Sequence, residues 1–186
     1  MIKRDYIHVD QLERERILKK AAGLFRLQGF EKTTVRQIAQ ACEILPGSLH
    51  YRYKSKDQIL TDMMQLAIDQ TTQAIRSATI DVSDPLQRLR AALHAHVEIL
   101  LSGNDMVYVL LFEWRSLKGK ELKKLIKERD RYEGFWEEML LEIKNLEYFK
   151  KEIDITLLRL LGFGLVNSTC SKPSATRIAT FLPFNS

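Results

Sequence analysis

Cysteine and proline are scarce in this chain of 186 residues, which has two of the first and four of the second. Cys42 and Cys170 lie far apart, and neither has a second thiol or a histidine at ligand spacing. A disulfide framework or a zinc site is therefore unsupported, and both cysteines read as ordinary reduced thiols. Long apolar runs are missing as well. Nothing approaches the roughly 20 residues needed to cross a bilayer, and the opening MIKRDYIHVDQLERERI is too charged for a signal peptide. The expectation is a cytoplasmic protein with no membrane partner. Alternating strand patterns, internal repeats and low-complexity tracts are absent too, so the fold class reads as all-α. Nor is there a nucleophile with a paired base, a phosphate loop or a metal cluster, which argues against an enzyme and calls for no cofactor. His94, His96 and Glu98 come nearest to a metal set. On a helix His94 and His96 diverge, and only His94 and Glu98 share a face, which is too few ligands.

What is present in excess is positive charge, and it is unevenly placed. Of a net +5, residues 1–60 hold twelve Lys/Arg against seven Asp/Glu, while residues 61–186 hold seventeen of each. Such an asymmetry fits a small basic module facing a polyanion and a neutral remainder with another task. An apolar fraction of 45% is enough for that remainder to bury a core.

Helical periods run along most of the chain. Ile17, Ala21, Leu24 and Phe25 mark a first amphipathic helix over 11–28, with Gly29 placed to stop it. Thr34 and Gln37 have capping-box spacing, and Val35, Ile38, Ala39 and Cys42 form the stripe of a short second helix. Pro46 suits the first position of a third helix. Ser55 with Gln58 predicts the start of a long fourth one, running to about Ser77. Asp84 and Pro85 open the next, with Leu86, Leu89, Leu93, Val97 and Leu100 on one side. MVYVLLFEWRSL, 106–117, is apolar nearly all round and predicts a buried helix. A long amphipathic helix over about 120–146 and a further buried one in IDITLLRLLGFGLVN follow. The end, STCSKPSATRIATFLPFNS, has no sustained period and reads as irregular.

Two short helices, 35–42 and 46–53, joined by a tight turn within the basic third, make a helix-turn-helix pattern. The second of them, PGSLHYRYKSK with its continuation, is short and polar enough to enter a DNA major groove, with phosphate-binding groups around its rim. Leu49 and Tyr53 suit the core, and Lys56 falls at the start of a helix, where the dipole favours a phosphate.

QGFEKTTVRQIAQACEILPGSLHYRYKSKDQIL resembles the DNA-binding domain of TetR-type transcriptional regulators, continuously from about Ile17 to Leu60. The resemblance implies a DNA-binding domain over 1–54 and a helical ligand-binding and dimerisation domain over 55–186. It also implies a homodimer on a near-palindromic double-stranded operator and a repressor released by a small molecule. Position by position, Thr34 and Lys56 match phosphate-binding positions, and Ser48 and Tyr51 match groups that touch phosphate or sugar. Arg36, Pro46, Gly47, His50 and Arg52 match positions that approach base edges. Two departures stand out: Glu43 replaces the usual turn glycine, and Leu45 replaces the usual capping Ser or Thr. Each is expected to cost about 1 kcal/mol.

Farther on, LLFEWRSLKGKELKKLIKERDRYEGFWEEML resembles members of that family that respond to acyl-CoA thioesters or similar lipid-like metabolites. His96, Phe112, Trp114, Arg115, Tyr132 and Trp136 are the candidate cavity residues, though all of them also suit ordinary core packing and surface ion pairs. A DNA-binding dimer without a ligand stays open as an alternative. Family members usually end in two dimer-forming helices. Here no convincing final helix follows LLRLLGFGLVN, so the C-terminus is expected to be shortened or altered and the preceding apolar helix under-covered.

Overall fold

The computed structural model describes residues 2–146 and 152–168, and every regular element among them is helical. They are α1 (Ile2–Gln28), α2 (Val35–Ala41), α3 (Pro46–Arg52), α4 (Lys56–Thr79), α5 (Pro85–Leu101), α6 (Asp105–Phe112), α7 (Gly119–Asn145) and α8 (Ile155–Ser168). Local chemistry sets most boundaries. Thr34 and Gln37 satisfy each other's backbone at the start of α2, and Ser55 and Asp84 cap α4 and α5 through the amides of Gln58 and Gln87. The second half of a box is absent at α4, because the Gln58 side chain accepts from the amide of Lys54 instead.

One core runs from the helix-turn-helix into the C-terminal helices. It starts at Ile17, Leu18, Phe25, Ile38 and Leu49 around the helix-turn-helix, continues along Leu60, Met63, Met64 and Ala67 of α4, and ends at Met106, Val109, Leu117 and Leu125. α4 is its spine, packed against α1, α5, α6 and α7. A second cluster lies beyond it, with Ile75, Ala92, Ala95, Trp136 and Met139.

Two helices differ from expectation. The segment 106–117 is not one helix: α6 stops at Phe112 and a 3-10 turn follows at Trp114–Ser116. That turn, closed by Ser116 and Leu117 amides on the carbonyls of Glu113 and Trp114, lets Leu117 reach the core. α8 is not a buried helix either. Only Ile155 and Arg159 are buried on it, while Leu157, Leu160, Leu161 and Leu165 are exposed. The irregular end expected after it, and Cys170, lie outside the described residues.

Candidate nucleic-acid interface and cavity

α1 and α4 hold the helix-turn-helix from behind. Arg14 of α1 forks onto Asp62 of α4, and the Tyr53 hydroxyl donates to the same carboxylate at 2.6 Å. Those hydrogen bonds and the charge of Arg14 hold Asp62 below the usual carboxylate range against burial, which pushes it up. Arg16 donates to the carbonyl of Cys42 at 2.7 Å, fixing the end of α2.

The turn takes the form a glycine would normally give. Glu43 sits at φ 55, its amide on the carbonyl of Gln40 and that of Ile44 on Ala39, the paired bonds of a Schellman cap. Leu45 precedes α3 in an extended conformation with no side-chain cap, and Pro46 takes the first helical position, where no N–H is missed.

With Leu49 and Tyr53 in the core, the rest of α3 is left outward. Pro46, Gly47, Ser48, His50, Tyr51 and Arg52 are all exposed, Tyr51 by 85%, as are Thr34 and Arg36 at the start of α2. A Cβ on Gly47 would meet nothing within 4 Å, so the fold itself does not require glycine there. A glycine inside a helix costs about 1 kcal/mol relative to alanine, and keeping one suits close approach by another molecule. Arg52 is tied up in the free protein, donating to Asp10 at 2.6 Å. Lys56 is tied more firmly. Its three N–H groups meet the carbonyls of Phe30, Glu31 and Thr33 at 2.6, 3.2 and 2.9 Å, and its ammonium lies over the Phe30 ring. Charge, rather than a free N–H, is what it has left to offer a phosphate.

In the other half of the molecule a cavity of about 210 Å³ opens between α4, α5, α6, α7 and α8. Ile68, Ile99, Leu100, Val107, Leu110 and Leu111 give it apolar walls. Trp114, placed by the 3-10 turn, His96 and Tyr132 also line it. Trp136 lies behind them with its ring 5.5 Å from that of His96. Two other sequence candidates are elsewhere. Phe112 is 41% exposed and packs on Tyr108, and Arg115 is exposed, lying over the Trp114 ring without lining the cavity. Phe112 leaves the cavity because it shares a face of α6 with Tyr108, away from Val107, Leu110 and Leu111, and Arg115 lies in the turn that follows. Residues that sequence reasoning did not single out include Glu133, Phe163 and Asn167. Their only local signal is the pair of glycines flanking Phe163.

Glu133 joins two guanidinium groups, Arg129 at 3.3 Å and the buried Arg159 of α8 at 2.6 Å. Tyr132 Oη lies 2.7 Å from Nδ1 of His96. Burial lowers the pKa of His96 from its ordinary 6.5 to about 4 and pushes the Tyr132 phenol upward, so both are neutral at pH 7. Among the described residues no group of three or more His, Cys, Asp or Glu side chains is placed to hold a metal ion. No single described helix is long and apolar enough to cross a membrane.

An exposed helix-turn-helix on an all-α body with an internal cavity defines a class of helical DNA-binding regulators. Residues 17–63 match the family model described as bacterial regulatory proteins, tetR family, and residues 82–171 match a tetracyclin repressor-like C-terminal domain. The chain belongs to the tetR family and is a DNA-binding transcriptional regulator, not an enzyme. It is 26% identical over 145 residues to the HTH-type transcriptional repressor KstR2 of Mycobacterium tuberculosis, a match spanning 77% of this chain and 72% of that protein. Among solved structures, the superantigen PfiT is 32% identical with a TM-score of 0.78, over 89% of this chain and 87% of the other. AibR, crystallised with isovaleryl coenzyme A and operator DNA, shares the fold at 24% identity and a TM-score of 0.78, over 87% and 88% of the two chains.

Proposed function

We propose that the chain is a homodimeric repressor whose two α3 helices read a near-palindromic double-stranded operator, and that a small, largely apolar effector of the acyl-CoA or lipid-like class releases it. Thr34, Ser48, Tyr51 and Lys56 serve the phosphate and sugar backbone. Arg36, Pro46, Gly47, His50 and Arg52 approach the bases, Arg52 after leaving Asp10.

The observation that carries this reading is the placement of α6. One side of it lines the cavity through Val107, Leu110 and Leu111. The other clamps α1, where Arg26 donates to Asp105 at 2.7 Å and to the carbonyl of Gly103 at 3.0 Å and lies over the Tyr108 ring. An effector that displaces α6 therefore moves α1 and the helix-turn-helix it backs. In a dimer the two recognition helices must stay about 34 to 36 Å apart to occupy successive major grooves. A few kcal/mol of differential effector affinity is enough to shift such an equilibrium.

At about 210 Å³ the cavity is smaller than the roughly 300 to 1,000 Å³ of sites for drug-sized ligands. That suits a short or branched acyl group, with any large head group outside. The test is a mobility shift on the DNA upstream of the protein's own gene. Tyr51→Ala and Arg36→Ala, both at exposed positions, are each expected to weaken binding about tenfold, the size of one lost contact of 1 to 3 kcal/mol. Unchanged binding by both would overturn the assigned surface, and unchanged transcription of that gene on deletion of the regulator would overturn repression.

A further inference from the structure

The polar pair in the cavity wall has no part in DNA binding. His96 is 6% exposed, and its Nε2 has no hydrogen-bond partner among the described residues. Buried polar atoms are paired in more than about 90% of cases, so an orphan in a cavity wall calls for an explanation. The rings of Tyr132, Trp136 and Phe163 surround the imidazole at 6.1, 5.5 and 5.7 Å. None of them presents an acid or a cation to it.

Proton accounting gives the tautomer. If Nδ1–H donated to the Tyr132 oxygen, the phenol proton would lack an acceptor and the Nε2 lone pair would lack a donor. If the phenol donates to Nδ1, the pair keeps one unsatisfied group, Nε2–H, beside the Trp136 Nε1–H, which is also without a partner among the described residues. Tyr132 thereby positions the ring and leaves one donor for whatever enters.

Resting on the cavity reading above, we infer that His96 is a specificity-determining residue of this cavity, its Nε2–H donating to an uncharged oxygen of the effector, a carbonyl or hydroxyl. Because the imidazole stays neutral at pH 7, it supplies one hydrogen bond and no charge. A carbonyl or hydroxyl oxygen buried among those rings needs one donor to replace its lost hydration, and a hydrocarbon gains nothing from it. The guanidinium groups of Arg129 and Arg159 share Glu133 at another part of the wall, where their net positive charge is separate from the neutral imidazole. The selected chemistry is therefore a thioester or ketone carbonyl, or an alcohol, in preference to a plain hydrocarbon.

The probes are cyclohexanone and methylenecyclohexane, compact molecules of nearly the same shape that differ in C=O against C=CH₂. Binding is followed by NMR of the two tryptophan indoles, since Trp114 lines the cavity and Trp136 packs on His96, and of the His96 ring nitrogens. The wild-type protein is expected to bind the ketone at least about tenfold more tightly than the alkene, with the shift on adding ketone falling on Nε2. In His96→Phe the preference is expected to vanish while alkene binding persists. Tyr132→Phe, which removes the donor to Nδ1, is expected to move both ring nitrogen shifts toward mixed tautomers and to narrow the preference. Equal wild-type binding of the two probes, or a preference unchanged in His96→Phe, would overturn the assignment and leave the cavity reading standing. Failure of both probes to bind would overturn both. Should His96→Phe not fold, the wild-type preference and the site of the nitrogen shift decide alone.

Discussion

Glu43 carries a backbone conformation that its side chain does not favour. At φ 55 it occupies the left-handed region, which costs a non-glycine residue about 1 kcal/mol. The paired amide bonds of the turn hold it there. Glu43→Gly is expected to raise unfolding stability by about 1 kcal/mol in urea titration, and a decrease would mean that the carboxylate has a stabilising partner. His96 gives a second residue-scale expectation. Its folded pKa, about 4, lies below the ordinary value of 6.5, so the unfolded chain binds its proton first as pH falls. The stability it permits is complete above 6.5 and is lost progressively toward 4. At about 1.4 kcal/mol per pKa unit, roughly 2 kcal/mol should be lost between pH 6.5 and 5. The melting temperature of His96→Phe should fall less over that interval than that of the wild type, and parallel profiles would exclude the histidine as the cause.

At the scale of the element, the junction between α1, α2 and α4 depends on Lys56. The loop after α1 turns the carbonyls of Phe30, Glu31 and Thr33 toward one point, and the Lys56 ammonium meets all three. Lys56→Met keeps most of the stem and removes the donors, so a loss of about 1 to 3 kcal/mol is expected on thermal or urea unfolding. A change within 0.5 kcal/mol would return Lys56 to a role in phosphate binding alone. These elements also mark how far the sequence could be read. Caps and stops such as Thr34, Gly29, Pro46 and Asp84 act within a turn of themselves, so α2 to α5 were legible to within a few residues. The outward set on α3 was legible for the same reason, since a short helix with Leu49 and Tyr53 inward leaves the rest outside. The cavity was less so. Its lining comes from five helices and a 3-10 turn, and apolar periodicity says which face is buried without saying whether that face meets a neighbour or a void. Phe112 left the lining because it shares a face of α6 with Tyr108 rather than with Leu110 and Leu111, and Arg115 lies in the 3-10 turn after it, a break with no proline or glycine to announce it.

For the whole molecule, α8 is where an effector and a second subunit would meet. Its inner side closes the cavity region, with Phe163 stacked on Tyr132 at 6.0 Å and Arg159 on Glu133. Its outer side presents Leu157, Leu160, Leu161 and Leu165, exposed by 53% to 66%, at spacings that form one stripe. A stripe of that kind on a water-facing helix is the surface a second copy would bury. Two charges placed in it should block pairing without touching the inner contacts. Leu161→Glu combined with Leu165→Glu is therefore expected to scatter light as a single chain while keeping its helical circular dichroism. It should also bind a full operator about 10² to 10⁴ times more weakly, because the second half-site is no longer engaged at high effective concentration. Binding of an isolated half-site should be unaffected, since α3 and its support lie far along the core from α8. If the double variant stayed dimeric, pairing would have to use another face, and the link between cavity occupancy and subunit spacing through α8 would fail with it.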